Sequence, residues 1–118
     1  MLVGRAKIKP GQTVLIMGGS SGVGIFGIQI AKLYDCTVIA TASSDKLEKL
    51  KELGADYAVD HRKEDWHKEV RGITKEIAKR DGVSPGIDII FEHIGGSHFN
   101  KELTLLKYGA TLVTTGAT

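Results

Sequence analysis

Short β-branched and apolar runs alternate along this chain with longer stretches in which apolar residues recur every three or four positions. Thr13 to Met17 is the first such run and predicts a strand buried on both faces. Before it, Lys9-Pro10-Gly11-Gln12 reads as a tight turn, with Pro10 and Gly11 at its centre. After it comes a glycine-rich turn, Gly18 to Gly24, and an apolar helix to about Tyr34. Thr37 to Thr41 predicts a second strand. Ser44 and Asp45 are suited to cap a helix carrying Leu47, Leu50 and Leu53 on one face and stopping at Gly54. Tyr57 to Val59 predicts a short third strand. Trp66, Val70, Ile73 and Ile77 have helical spacing, so a third helix should run to about Lys79. Asp81-Gly82 and Pro85-Gly86 break the chain before Ile87 to Phe91, the most apolar strand. Phe99, Leu103 and Leu106 predict a shorter helix, and Ala110 to Thr115 a fifth strand.

The order β-α-β-α-β-α-β-α-β calls for parallel strands joined by right-handed helical crossovers. The expected fold is α/β, a doubly wound parallel sheet of order 3-2-1-4-5 between two helical layers, forming one domain over residues 1–118. Its switch point lies between strands 1 and 4, and a ligand belongs there, beyond the carboxyl ends of the strands. A six-stranded version of this sheet needs a strand that these residues do not supply.

The richest segment is Val14-Leu15-Ile16-Met17-Gly18-Gly19-Ser20-Ser21-Gly22-Val23-Gly24. A strand enters a turn without bulky side chains, and the turn opens a helix whose first N–H groups and dipole can hold a pyrophosphate. The expected phosphate contacts are therefore Gly18, Gly19, Ser20, Ser21, Gly22, Val23 and Gly24. A literal GxGxxG occurs at Gly22, Gly24 and Gly27, but Gly27 already lies a turn into the helix. We read Gly18 to Gly22 as the cradle, and Gly24 and Gly27 as glycines that let helix and sheet pack closely. The competing reading is a βα turn that binds nothing; its place between strand and helix in this topology favours binding, in a Rossmann-type dinucleotide domain.

Composition narrows the classes. Sixteen basic and 14 acidic side chains leave a net charge of +2, with both signs intermixed, which argues against a nucleic-acid or membrane-surface partner. No apolar run approaches the roughly 20 residues that cross a bilayer, and the start has no signal-peptide plan, so a cytoplasmic location is expected. Cys36 is the only cysteine, which excludes an internal disulfide and a cysteine-rich zinc site. A small buried role suits it better than that of a nucleophile. His61, His67, His93 and His98 form no His-x-x-x-His pair, so no metal site is expected from this chain. Trp66 reads as core.

Lys9 to Ile16 followed by Gly-Gly-Ser-Ser-Gly-Val-Gly resembles the cofactor domain of the medium-chain dehydrogenases, in particular the quinone oxidoreductase and zinc-type alcohol dehydrogenase branches. Leu53-Gly54-Ala55-Asp56, the run Asp88 to Gly96, and Leu106 to Val113 leading into Thr115-Gly116-Ala117 extend the resemblance over essentially the whole chain. It departs at Ser21, where the family often has glycine. The resemblance implies a nicotinamide dinucleotide as partner and a catalytic domain that is absent from these residues and meets a small-molecule substrate. It also implies that any zinc ligands lie mainly on that other domain.

The end of strand 2, Thr41-Ala42-Ser43-Ser44-Asp45-Lys46, has small neutral residues where an NAD site usually places Asp or Glu. Lys46 stands eight residues before Gly54, as a lysine does in NADP-using quinone oxidoreductases. Asp60-His61-Arg62 stands where they tend to have Asn-Tyr-Arg, and the resemblance implies a place for His61 beside the adenosine phosphate, where they have the tyrosine. Asp45 weighs the other way, since it would repel a phosphate if turned inward. The reading favours NADP, with NAD open, and places Ser43, Ser44 and Lys46 on the ribose or its phosphate. His93, Ile94 and Gly95, with Thr115 and Gly116, should line the nicotinamide side, whether His93 does chemistry or only borders the pocket.

Gly18-x-x-x-Gly22-x-Gly24 also fits a short-chain dehydrogenase. Such a protein needs Asn-Asn-Ala-Gly after strand 4 and a Tyr-x-x-x-Lys pair, and neither occurs. A nucleotide-sensing module is a third reading; such modules commonly keep an acid at the end of strand 2. The threonine-rich last strand, with no sixth beside it, is expected to pair with a second copy in a homo-oligomer.

Overall fold

A computed structural model describes residues 8–19, 22–92, 101–102 and 104–114, the last segment without the side chains of 108, 109 and 111–114. The strands are β1 (Thr13–Met17), β2 (Thr37–Ala42), β3 (Tyr57–Asp60), β4 (Ile87–Glu92) and β5 (Leu106–Thr114). The helices are α1 (Gly22–Leu33), α2 (Leu47–Glu52) and α3 (Trp66–Asp81). All strands are parallel, in the order β3-β2-β1-β4-β5. That is the expected doubly wound sheet.

β1 is central and every one of its residues is buried, which explains why its sequence runs apolar without alternation. Val14 and Ile16 face one layer, where Ile28 and Ala31 of α1 and Leu50 of α2 pack. Leu15 and Met17 face the other, with Trp66, Val70 and Ile77 of α3. Trp66 is fully buried in that layer, as its spacing predicts. Cys36 is buried as well, and burial pushes its thiol pKa up, as suits an inert core residue. At the amino end of the sheet Asp88 ties three strands together: its carboxylate accepts the Thr13 amide at 2.8 Å and meets Lys107 Nζ at 3.2 Å.

Two expectations need correction. The helix after β2 begins at Leu47, preceded by a 3-10 turn, Ser44–Lys46, and neither Ser43 nor Lys46 makes a side-chain cap. Ser43 Oγ instead donates to Asp45 at 2.7 Å, a local bond that competes with capping. The last strand starts at Leu106 rather than Ala110, so Leu106 belongs to β5 and not to a helix. Its pairing with Ile87 is followed by that of Thr111 with Ile89, so β5 bulges between the two pairs. Leu106 satisfies a helical interval from Leu103 and a strand contact at once, which is why spacing misassigned it. Lys101 and Glu102 are helical, whereas Phe99 and Leu103 lie outside the described residues.

Candidate functional site

At the end of β1 the chain turns through Gly18, whose φ of +77° is costly for residues with a Cβ. Two of the bonds at this turn go to Thr41 of β2. The Gly18 N–H donates to Thr41 Oγ1 at 3.0 Å, and the Gly19 N–H to the Thr41 carbonyl at 2.7 Å. A Cβ on Gly19 would meet Leu50 Cδ2 at 2.9 Å and Ala40 at 3.1 Å, so the turn lies flat on the core. A Cβ on Gly24 would collide with the Gly18 carbonyl oxygen and come within 2.7 Å of Gly19 Cα. One on Gly27 would come to 3.0 Å from the Phe91 ring. Gly24 and Gly27 thus have the close-packing place assigned to them from sequence. Gly22 differs: among the described residues nothing beyond its chain neighbours and its own helix backbone lies within 4 Å of its Cβ position, and Gly22 and Val23 are exposed at the start of α1. The first turn of α1 contains no acid.

The Gly18 and Gly19 amides are engaged with Thr41, and among the described residues Gly22 and Val23 stand exposed at the start of α1. Thr41 is the residue that sequence reasoning missed. It reads as a small neutral strand end leaving room for a phosphate, yet it is fully buried and fastens the loop. Only the strand register, which sets Ala40 beside Ile16, brings it to Gly18.

Ser43, Ser44 and Lys46 follow β2 directly, with Ser44, Asp45 and Lys46 exposed. The Ser43 hydroxyl holds the Asp45 carboxyl below its ordinary range, helped by a local backbone bond and the Lys46 and Arg62 charges. His61 follows β3, and it is no plain surface loop residue: it is half-buried, with Nδ1 at 2.9 Å from Thr41 Oγ1 and its N–H bonded to the Ala42 carbonyl. Ser43, Ser44, Lys46 and His61 thus gather at neighbouring strand ends, with exposed Arg62 beside them. Ser20, Ser21, His93, Ile94, Gly95, Thr115 and Gly116 lie outside the described residues.

On the α3 side of the sheet, Glu92 ends β4 and is nearly fully buried, while Glu102 is fully buried. Burial, then the proximity and charge of Glu92, push the Glu102 carboxyl pKa up to about 9. Neither Glu102 oxygen finds a hydrogen-bond partner among the described residues, so burial and the nearby Glu92 carboxyl carry the shift. His67 is lowered by burial and by the charges of Lys101, Arg71 and Lys68. Among the described residues no three metal-ligating side chains come together, and no helix is long and apolar enough to cross a membrane.

A doubly wound parallel sheet with a glycine turn opening a helix at its switch point defines a dinucleotide-binding type of domain. Comparison with known proteins makes this specific. The family model described as "Zinc-binding dehydrogenase" matches residues 22–118, and the chain belongs to that family. Among curated relatives, "Synaptic vesicle membrane protein VAT-1" of Tetronarce californica is 36% identical over 99% of this chain and 29% of its own length. "Quinone oxidoreductase" of Pongo abelii is 32% identical over 98% and 33%. Among solved structures, an NAD-dependent alcohol dehydrogenase superposes with a TM-score of 0.87 at 39% identity, covering 100% of this chain and 32% of that one. CurA of Vibrio vulnificus in complex with NADPH gives 0.80 at 31% identity, covering 94% and 31%. The chain spans about a third of the length of the proteins it matches. The short-chain alternative is set aside by the family match.

Proposed function

We propose that this chain is the cofactor-holding domain of a larger oxidoreductase and that it binds NADP(H) in preference to NAD(H). The carrying observation is the open start of α1 at the switch point, with space at Gly22, no acid in its first turn, and Lys46, His61 and Arg62 after the neighbouring strands. The cradle fits a pyrophosphate. Gly22 and Val23 present the helix start and its dipole to it, as a bound anion requires. Ser44 and Lys46 take the adenosine ribose and its phosphate, with His61 alongside. His93, Ile94, Gly95, Thr115 and Gly116 border the nicotinamide. The bound nicotinamide supplies hydride exchange with a carbonyl, alcohol or activated alkene. This chain's own residues bind and orient it, while substrate contacts, and zinc where it is used, belong to the rest of the protein.

The NADPH complex of CurA supports the phosphorylated cofactor. The NAD-dependent alcohol dehydrogenase and the ionised Asp45 support NAD as the second reading. Calorimetric titration of wild type and Lys46→Ala with NADPH and NADH separates them. One charge-assisted contact to a phosphate is worth about 1.5–3 kcal/mol, so NADPH affinity should fall roughly ten- to hundred-fold in the variant with NADH unchanged. Equal affinities, unmoved by the substitution, would overturn the preference for NADP(H), and tighter binding of NADH would select NAD.

A further inference from the structure

Thr41 Oγ1 is a junction of three groups. It accepts the Gly18 amide at 3.0 Å, meets His61 Nδ1 at 2.9 Å, and lies 3.6 Å from Met17 Sδ. A threonine hydroxyl has one proton and two lone pairs, and the Gly18 N–H needs one of those lone pairs. Either histidine tautomer leaves it available. If Nδ1 accepts, the hydroxyl proton points to His61 and away from Gly18. If Nδ1–H donates, the proton turns to Met17 Sδ and both lone pairs are filled. His61 therefore holds the hydroxyl rotor in an orientation the Gly18 amide can use. Gly18 in turn sits under Gly24 with no room for a Cβ between them, so a shift of the turn moves the start of α1.

The geometry points to Thr41 as the positioning residue of the phosphate turn and to His61 as the group that orients it. One chain of hydrogen bonds then links the adenosine end of the pocket to the pyrophosphate end. The link to cofactor affinity rests on the proposed function, whereas the hydrogen-bond chain does not.

Amide hydrogen exchange by NMR, with NADPH titration, tests both parts on the whole chain. The Gly18 amide should exchange slowly in wild type and in Thr41→Ser. It should exchange about five-fold faster or more in Thr41→Val, which keeps the shape and loses the acceptor, and by a smaller factor in His61→Phe. NADPH affinity should weaken roughly five- to ten-fold in Thr41→Val and recover in Thr41→Ser. Lys46→Ala, in the same pocket but outside the chain of bonds, should leave Gly18 exchange unchanged. Slow exchange at Ile89 in the sheet centre reports that each variant is folded; if Thr41→Val fails that check, His61→Phe decides. Unchanged Gly18 exchange in the folded variants overturns the proposal, as does equal loss in Thr41→Ser and Thr41→Val. A wild type that binds no dinucleotide overturns the proposed function instead, and the exchange result still judges the chain of bonds.

Discussion

Glu102 follows Lys101 in the short helical stretch before β5, and the fold buries it fully beside Glu92. Its carboxyl keeps a proton up to about 9, whereas an unfolded chain releases that proton near the ordinary 4.5. Between those values the folded protein holds one more proton than the unfolded one. Stability must then fall as pH rises through the window, with a slope up to about 1.4 kcal/mol per pH unit. Glu102→Gln keeps the size and a donor but cannot ionise. Its denaturant midpoint should overtake that of wild type progressively from about 4.5 to about 9. Parallel pH curves for the two proteins would show that Glu102 is already charged when folded. Burial of this kind is invisible in a sequence, because it depends on which helix lands on which strand. The same holds for Thr41: its residue type is plain, but its role appears only once β1 and β2 are in register.

At the level of elements the sequence was far more legible. β-branched runs, glycine punctuation and helical spacing located β1 to β4 and α1 to α3 to within a few residues, since buried parallel strands leave an uninterrupted apolar run. The phosphate turn was legible as a strand–glycine–helix motif, but its division of labour was not. Gly18 and Gly19 hold the turn to β2, while Gly22 and Val23 stand open at the helix start. That division can be tested by placing an acid where α1 now has none. In Val23→Glu the new carboxylate favours the helix dipole, so thermal stability should hold or rise slightly. The same charge would face a bound pyrophosphate, and dinucleotide affinity measured by fluorescence titration should drop roughly ten-fold. Unchanged affinity would place the phosphates elsewhere.

For the molecule as a whole, the described sheet ends at β5, which pairs with β4 on one side and with no strand among the described residues on the other. An unpaired edge presents free N–H and C=O groups to any matching strand, and native edges are usually blunted by charge, proline or a bulge. Ala110 to Thr114 contains no charge and no proline, and the β5 bulge and Lys107 lie toward the start of the strand. We expect two copies to pair through this edge across a two-fold axis, giving a dimer mass in light scattering at high concentration. Val113→Pro should return the monomer, with circular dichroism confirming that the sheet survives. A wild type that stays monomeric throughout would mean the edge is covered.

Asp88 gives the fold a kinetic character. It joins Thr13, near the start of the described chain, to Lys107, near its end, through one carboxylate. We expect the Thr13–Asp88 contact, 75 residues apart in sequence, to close late on the way to the native state, because the intervening loops must be ordered first. A bond made after the transition state slows escape from the native state without speeding arrival. Asp88→Asn should therefore steepen the loss of protein over time more than it delays refolding: in stopped-flow chevrons the unfolding limb rises while the refolding limb stays nearly in place. On this account the carboxylate at the amino end of the sheet sets how long a folded copy lasts.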